Sequence, residues 1–292
     1  MKHDPMSRKI SLKTAVKRVH TILKPWYIPA LILLLWWTAS ALEVWNAYLL
    51  PPPWKAARTF WSMLLRGEIA ASVAVSLRRV LAGFGISFAL AFLCGLAIAY
   101  LPALAAYFRH IGNFFRNVPP LALISLLILW FGLGETSKLI IIVLASFFPM
   151  EMNIAKGFSS VDRRLLEVGE SLGFSALRRF LLISLPAARE DILVGMRAGL
   201  GYSWRALIGA EMFAAAAGLG YMIVFAQQMS RSDKVLIGIL LIGGIGCLSD
   251  WLFSCLLRRF GTDGTGAKTA DGEENRKGIK NVRRPDRERE RV

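Results

Sequence analysis

An all-α membrane protein with about six transmembrane helices is the fold class this sequence predicts, on three observations. Of the 292 residues, 55% are hydrophobic and only 19% are charged. The charges crowd into the two ends and a few short patches, leaving long stretches with few or none. Apolar runs approaching the ~20 residues needed to cross a hydrocarbon layer of ~30 Å recur at 28–42, 81–101, 121–133, 139–152, 192–213 and 235–257. The third and fourth of these are short.

A formal charge of +16 raises the question of nucleic acid. The lysines and arginines lie beside apolar spans and form no soluble basic face, so they mark membrane orientation and nucleic-acid binding is set aside. The basic segments are 1–24, the loop around Arg109 and Arg116, the loop carrying Lys156, Arg163, Arg164, Arg178 and Arg179, and the tail after Leu257. An even number of spans places all of them, and both termini, in the cytoplasm; Lys55, Arg58, Arg78 and Arg79 are exceptions on the opposite side. No short apolar region with a small-residue cleavage site precedes the first span, which reads as retained. Cys94, Cys247 and Cys255 fall inside spans without metal-ligand spacing and behave as small apolar residues.

Taken in order, the first span ends near Trp45 and is followed by "NAYLLPPPWKAARTFWSML". Three prolines forbid a continuing helix there, and the aromatics suit a membrane interface, so an external elbow and a surface helix are expected. The second span carries Gly83, Ser87, Ala91, Gly95 and Ala99, a small-residue stripe at four-residue spacing that lets another helix approach. Pro119 and Pro120 open the third span, and "GLGE" turns tightly into the fourth, making a helical hairpin. From 261 to 292 the chain is Gly-rich and then densely charged with both signs, with almost nothing apolar to bury, and is expected to be disordered.

Between about 152 and 189 lie more than thirty residues with no span, far beyond the ~4–6 residues of an ordinary connection. Within it, "EVGESLGFSALRRFLLISLP" is the most polar stretch of the membrane-like region. Leu165, Val168 and Leu172 share one helical face while Arg163, Glu167 and Glu170 share another, which predicts a short amphipathic helix. Gly173 is its stop, Ser175 caps a second short helix through Leu177 and Phe180, and Pro186 redirects the chain into the fifth span. The pair makes a knob, 165–180, able to pass force from a soluble partner to the membrane helices. A plainer reading of Glu167 is an i,i+4 pair with Arg163, worth ~0.2–0.5 kcal/mol.

Glu167, then Gly173, then Ile183, Leu185 and Pro186, stand at the spacing of the EAA motif of ABC importer permeases. The blocks "NVPPLALISLLILWFGLGETSKLIIIVLASFFPM", "SVDRRLLEVGESLG", "GMRAGLGYSWRALIGAEM" and "GLGYMI" resemble the nitrate/sulfonate/taurine-type permeases over roughly 31–259. The resemblance implies a type I ABC importer (MetI-like) permease fold over 25–260, in the bacterial inner membrane. It also implies a homodimer, two cytoplasmic ATPase subunits docked on a coupling loop at 157–188, and an external solute-binding protein. Contact with the ATPase would fall to Glu167, Glu170, Gly173, Leu177, Ile183, Leu185 and Pro186. Val168 and Gly169 replace the motif's alanines, and Glu170 stands where relatives often carry a basic residue, so the docking surface is more acidic and more flexible than usual.

Arg205 lies about 18 Å along the fifth span from Leu193 at ~1.5 Å per residue, a depth at which a charge needs a cavity or a partner. Two readings stay open: Arg205 and Glu211 line the translocation path, where Arg205 helps an anion along, or Arg205 pairs structurally with Glu211 or an acid of another helix. Arg197 snorkels or pairs, and Asp250 reads as a structural partner. The chain has no G-x-x-x-x-G-K-[ST], and "GLGETSK" lacks the glycine-lysine junction that cradles phosphates, so ATP and Mg would be bound by the partner and no cofactor by this chain. His3, His20 and His110 are scattered without ligand spacing, and no nucleophile, base and orienting group can be placed together. The function expected is a non-catalytic permease subunit moving a small anion such as a sulfonate, taurine or nitrate. The alternatives are a permease for a thiamine-pyrimidine or other small organic precursor, a secondary carrier, which should show inverted repeats and mid-span acids, and a membrane enzyme.

Overall fold

A computed structural model describes residues 27–46, 48–101, 103, 112 and 114–259. The expectations for 1–24, Arg109, the three histidines and 261–292 lie outside the described residues. All regular structure described is helical: α1 (Tyr27–Ala41), α2 (Pro53–Leu65), α3 (Glu68–Tyr100), a 3-10 turn (Pro120–Leu123) leading into α4 (Ile124–Phe131), and α5 (Glu135–Ser159). The chain continues through α6 (Arg163–Ser171), α7 (Ala176–Arg179), a π-helical segment (Phe180–Ser184), α8 (Leu185–Ala214), α9 (Leu219–Gln228) and α10 (Ser232–Arg259). Each of the six apolar runs falls on a helix. Among the described residues, α3, α5 and Ser232–Leu257 of α10 are each long and apolar enough to cross a membrane. Ala176–Ala214 with α9, bent by 42°, makes a fourth candidate, and α1 and Pro120–Phe131 are shorter apolar helices.

Two boundaries differ from the sequence reading. The second span begins at Glu68 and not near residue 81, because Arg78 and Arg79, which look like a polar flank, belong to the helix and Arg79 is buried among carboxylates. The fourth is not short: α5 runs 25 residues through Pro149, and Asn153 Nδ2 donates to the Pro149 carbonyl at 2.7 Å.

The chain divides into two compact units. The first comprises residues 1–86, 118–145 and 202–245. Here the prolines act as the sequence suggests: α2 opens with Pro53, which needs no amide partner in a first turn, and Trp36 Nε1 donates to the Pro51 carbonyl at 3.1 Å. Met63 of α2 is buried with Ile69 and Ile237, seating the surface helix. A larger apolar core gathers Ile124 and Leu127 of α4, Ile141 and Ala145 of α5, and Ala206 and Ala210 of α8. Gly83 faces Ile142, and a Cβ on it would stand 2.6 Å from Ile142 Cγ2.

The second unit comprises 87–117, 146–201 and 246–292. The small-residue stripe of α3 continues here: Ser146 Oγ donates to Ser87 Oγ at 2.9 Å, Ala91 is fully buried, and a Cβ on Gly95 would stand 2.8 Å from Ile154 Cγ2. Each pair is offset by 59 positions, so the two helices run parallel and close-packed. α5 also meets α8 antiparallel, with Gly157 against Ala188, Gly195 against Asn153 and Gly199 against Met150.

Candidate coupling loop and buried ion network

The knob is built from local rules. Asp162 precedes α6 and accepts from the Arg164 amide at 2.9 Å, satisfying one of the donors a helix start leaves over. At the other end the Gly173 amide donates to the Glu170 carbonyl at 2.9 Å and the Phe174 amide to the Gly169 carbonyl at 3.0 Å, with Gly173 at φ +73°. These two bonds around a left-handed residue are a Schellman stop, and they define the joint between the helices. Ser175 Oγ then accepts from the Arg178 amide at 3.4 Å and starts α7.

Pro186 behaves differently from the sequence reading, which turns the chain there. The helical path runs straight through it into α8. A proline inside a helix lacks its amide and crowds the carbonyl four residues back; the π-helical segment just before it, in which the Leu185 amide reaches the Phe180 carbonyl, widens the turn where that strain falls.

Leu165, Val168, Leu172 and Leu177 are each more than half exposed, although they lie on a polar loop. Glu167 is exposed, and among the described residues its carboxylate makes no ion pair with Arg163. Glu170 pairs with Arg179 at 2.8 Å. Gly169 is buried beneath Ile183: a Cβ would approach Ile183 Cδ1 to 2.7 Å and Arg179 Cγ to 3.3 Å, so the glycine here permits close packing of α6 on the π segment. Behind the knob, Phe180 stacks on Phe158 at 5.8 Å, and Phe158 meets Phe92 edge-on at 5.8 Å. Leu185 and Pro186 line a cleft of about 420 Å³ with Phe88, Phe92 and Arg189. Arg197 and Asp250 bond each other twice at 2.7 Å.

In the first unit the charges form a network that sequence reasoning missed. Arg79 Nη1 donates to Glu211 Oε1 at 2.7 Å and to the Ala217 carbonyl at 2.6 Å. Its Nε and Nη2 form a fork on the two oxygens of Glu135, both at 2.7 Å, and Lys138 Nζ donates to Glu135 Oε1 at 2.8 Å. Glu211 also accepts from Ser76 Oγ at 2.8 and 2.9 Å and from the Gly220 amide at 3.0 Å, while the Leu219 amide donates to Ser76 Oγ at 2.9 Å. Glu211 therefore caps α9 from a different helix, placing negative charge where the first amides of α9 point. Gly218 makes this possible: it holds φ +120°, and a Cβ on it would fall 2.3 Å from Glu211 Oε1.

The sequence pairs Arg205 with Glu211 as one of its two readings. The structure instead turns Glu211 inward to Arg79, and Arg205 is exposed with its guanidinium 4.8 Å above the Tyr202 ring. The available signal was the Arg78–Arg79 pair, an exception to the charge pattern the sequence reading gives, together with the acid closing "GLGE". Among the described residues no group of three or more His, Cys, Asp or Glu side chains could hold a metal ion.

Long apolar helices, exposed apolar side chains along α3 and α10, and a helical knob on a polar loop define a multi-pass membrane permease. The chain belongs to the family of binding-protein-dependent transport system inner membrane components, whose model matches residues 87–262. It is 35% identical to the aliphatic sulfonates transport permease protein SsuC of Bacillus subtilis (strain 168), over 80% of this chain and 84% of that one. It is 32% identical to the taurine transport system permease protein TauC of Escherichia coli (strain K12), over 87% of this chain and 90% of that one. Among solved structures, a chain of the MetNI methionine ABC transporter, in inward-facing conformations, superposes with TM-score 0.55 at 15% identity, covering 70% of this chain and 98% of that one. That likeness shows the type I importer permease fold. The chain is thus a non-catalytic, inner-membrane permease subunit of an ABC importer of the nitrate/sulfonate/taurine family, which works with an ATPase and a solute-binding protein.

Proposed function

We propose that this chain forms, as a homodimer with both termini in the cytoplasm, the translocation path for a small organic or inorganic anion such as a sulfonate, taurine or nitrate. Two ATPase subunits, which bind ATP and Mg, dock on the loop 157–188. The observation that carries the coupling reading is the exposed apolar face of Leu165, Val168, Leu172 and Leu177 beside the acids Glu167 and Glu170: apolar surface standing out from a polar loop marks a partner site. Gly173 fixes the joint of that surface, and Ile183, Leu185 and Pro186 carry its movement into α8. The Phe180–Phe158–Phe92 contacts give the movement a packed route to α5 and α3. Alternating access then follows from differential contact of the ATPase with two states of the knob.

The substrate class rests on the names of the relatives and on Arg205, an exposed cation in a span. Arg205 smooths the passage of negative charge, and Glu211 acts behind it by holding α9 to α8. Reconstitution with the cognate ATPase and binding protein tests the reading. ATP-driven uptake of taurine or methanesulfonate is expected, and uptake of a neutral solute with none of taurine, methanesulfonate or nitrate would refute the substrate class.

A further inference from the structure

We propose that Arg79 and Lys138 form an oxyanion-binding site which Glu135 occupies in this state, and that a singly charged sulfonate takes the place of Glu135 during transport. The inference deepens the anion reading above and rests on it. Its basis is the unequal standing of two carboxylates around one guanidinium. Glu211 is fully buried and held by Ser76 and the Gly220 amide as well as by Arg79, so it is a permanent partner. The Glu135 side chain is 49% exposed and, among the described residues, is bonded through Arg79 and Lys138, whose own side chains are 6% and 3% exposed. Two buried cations are thus covered by a carboxylate that is itself half-exposed on the chain and that a change of rotamer can withdraw.

Charge and shape both suit a sulfonate. With Glu135 in place the two cations and two carboxylates balance; with Glu135 turned out, one positive charge is left over, which a single anion neutralises. Three donors point at the site: Arg79 Nε, Arg79 Nη2 and Lys138 Nζ. Glu135 offers two oxygens, so Oε1 must serve both Nη2 and Nζ. A sulfonate offers three oxygens, two for the planar fork of the guanidinium and one for the ammonium. Such a site is self-liganded when empty, which avoids leaving buried charge unpaired between transport events.

The test is methanesulfonate binding to the full-length chain in lipid nanodiscs, with dimethyl sulfone as the neutral analogue. Glu135→Gln, which removes the internal competitor's charge, is expected to bind methanesulfonate at least tenfold more tightly than wild type. Lys138→Met is expected to bind it at least tenfold more weakly, and dimethyl sulfone should bind neither. Equal methanesulfonate affinity in wild type and Glu135→Gln overturns the proposal. Should Glu135→Gln fail to accumulate, unchanged affinity in Lys138→Met overturns it equally. Uptake by the wild-type complex separates this site from the substrate reading: methanesulfonate uptake with affinities blind to both variants sinks the site alone. Absent uptake with tighter binding to Glu135→Gln sinks the substrate reading and supports the site.

Discussion

Arg79 and Glu211 stand 132 positions apart in the chain and 2.7 Å apart in space, and Glu211 has no exposed side-chain surface at all. Removing one partner of such a pair strands the other without water. Arg79→Met is therefore expected to cost about 3–5 kcal/mol and to lower both membrane accumulation and the melting temperature in detergent. A single variant that melts with wild type would show that the pair carries no stability.

Gly218 and Gly243 predict opposite responses to the same change. Gly218→Ala places a Cβ against Glu211 Oε1 and forces an L side chain to φ +120°, so it is expected to lower the melting temperature. Gly243 lies in the interior of α10 with nothing within 4 Å of an added Cβ. Its replacement by alanine is expected to leave stability unchanged or to raise it by up to ~1 kcal/mol. Thermal melts of the two variants side by side check the ordering.

At the knob, Leu177→Asp, Glu167→Lys and Gly173→Pro are expected to weaken co-purification with the ATPase subunit and to lower uptake. Leu177 and Glu167 are exposed, so the first two should leave the melting temperature of the isolated chain where it was. Full co-purification and full uptake in all three would remove the coupling role from this loop.

Arg205→Ala is expected to reduce anion uptake severalfold while leaving assembly and basal ATPase activity intact, and Arg205→Lys to recover part of the loss. The cation over Tyr202 contributes about 0.5–1 kcal/mol at an exposed position. Loss of membrane accumulation in Arg205→Ala would assign the residue to structure, and undisturbed uptake would take it off the path.

Reporter fusions at position 24 and after position 259 are expected to report the cytoplasm. An external signal from either would invert the orientation on which the placement of the knob depends.

The parts legible in the sequence are those governed by local rules. The apolar runs locate the helices because hydropathy acts residue by residue. The stop at Gly173 and the cap at Ser175 were readable because a Schellman turn and an N-cap need only a few neighbouring residues. What escaped depends on distant partners. Arg79 looks like a flank until Glu135 and Glu211 arrive from 56 and 132 positions away, and the start of α3 was misplaced for that reason. Pro186 looks like a corner until the π turn before it is seen, and no periodicity announces that turn. Gly169 read as a source of flexibility, whereas its role is the space it leaves for Ile183.

The parallel pairing of α3 with α5 also bears on which lengths of this chain can vary. Gly83, Ser87 and Gly95 each find their partner at the same offset, so the pairing tolerates no change of count inside it. One residue added between 83 and 95 would rotate everything beyond it by about 100°, swinging the small residues away from α5 and bulky ones into the seam. The same residue added at 160–162, after α5 ends and before α6 begins, leaves the pairing of α3 with α5 untouched. Insertions and deletions among descendants of this chain are therefore confined to its connections, while α3 and α5 can change side chains but not length.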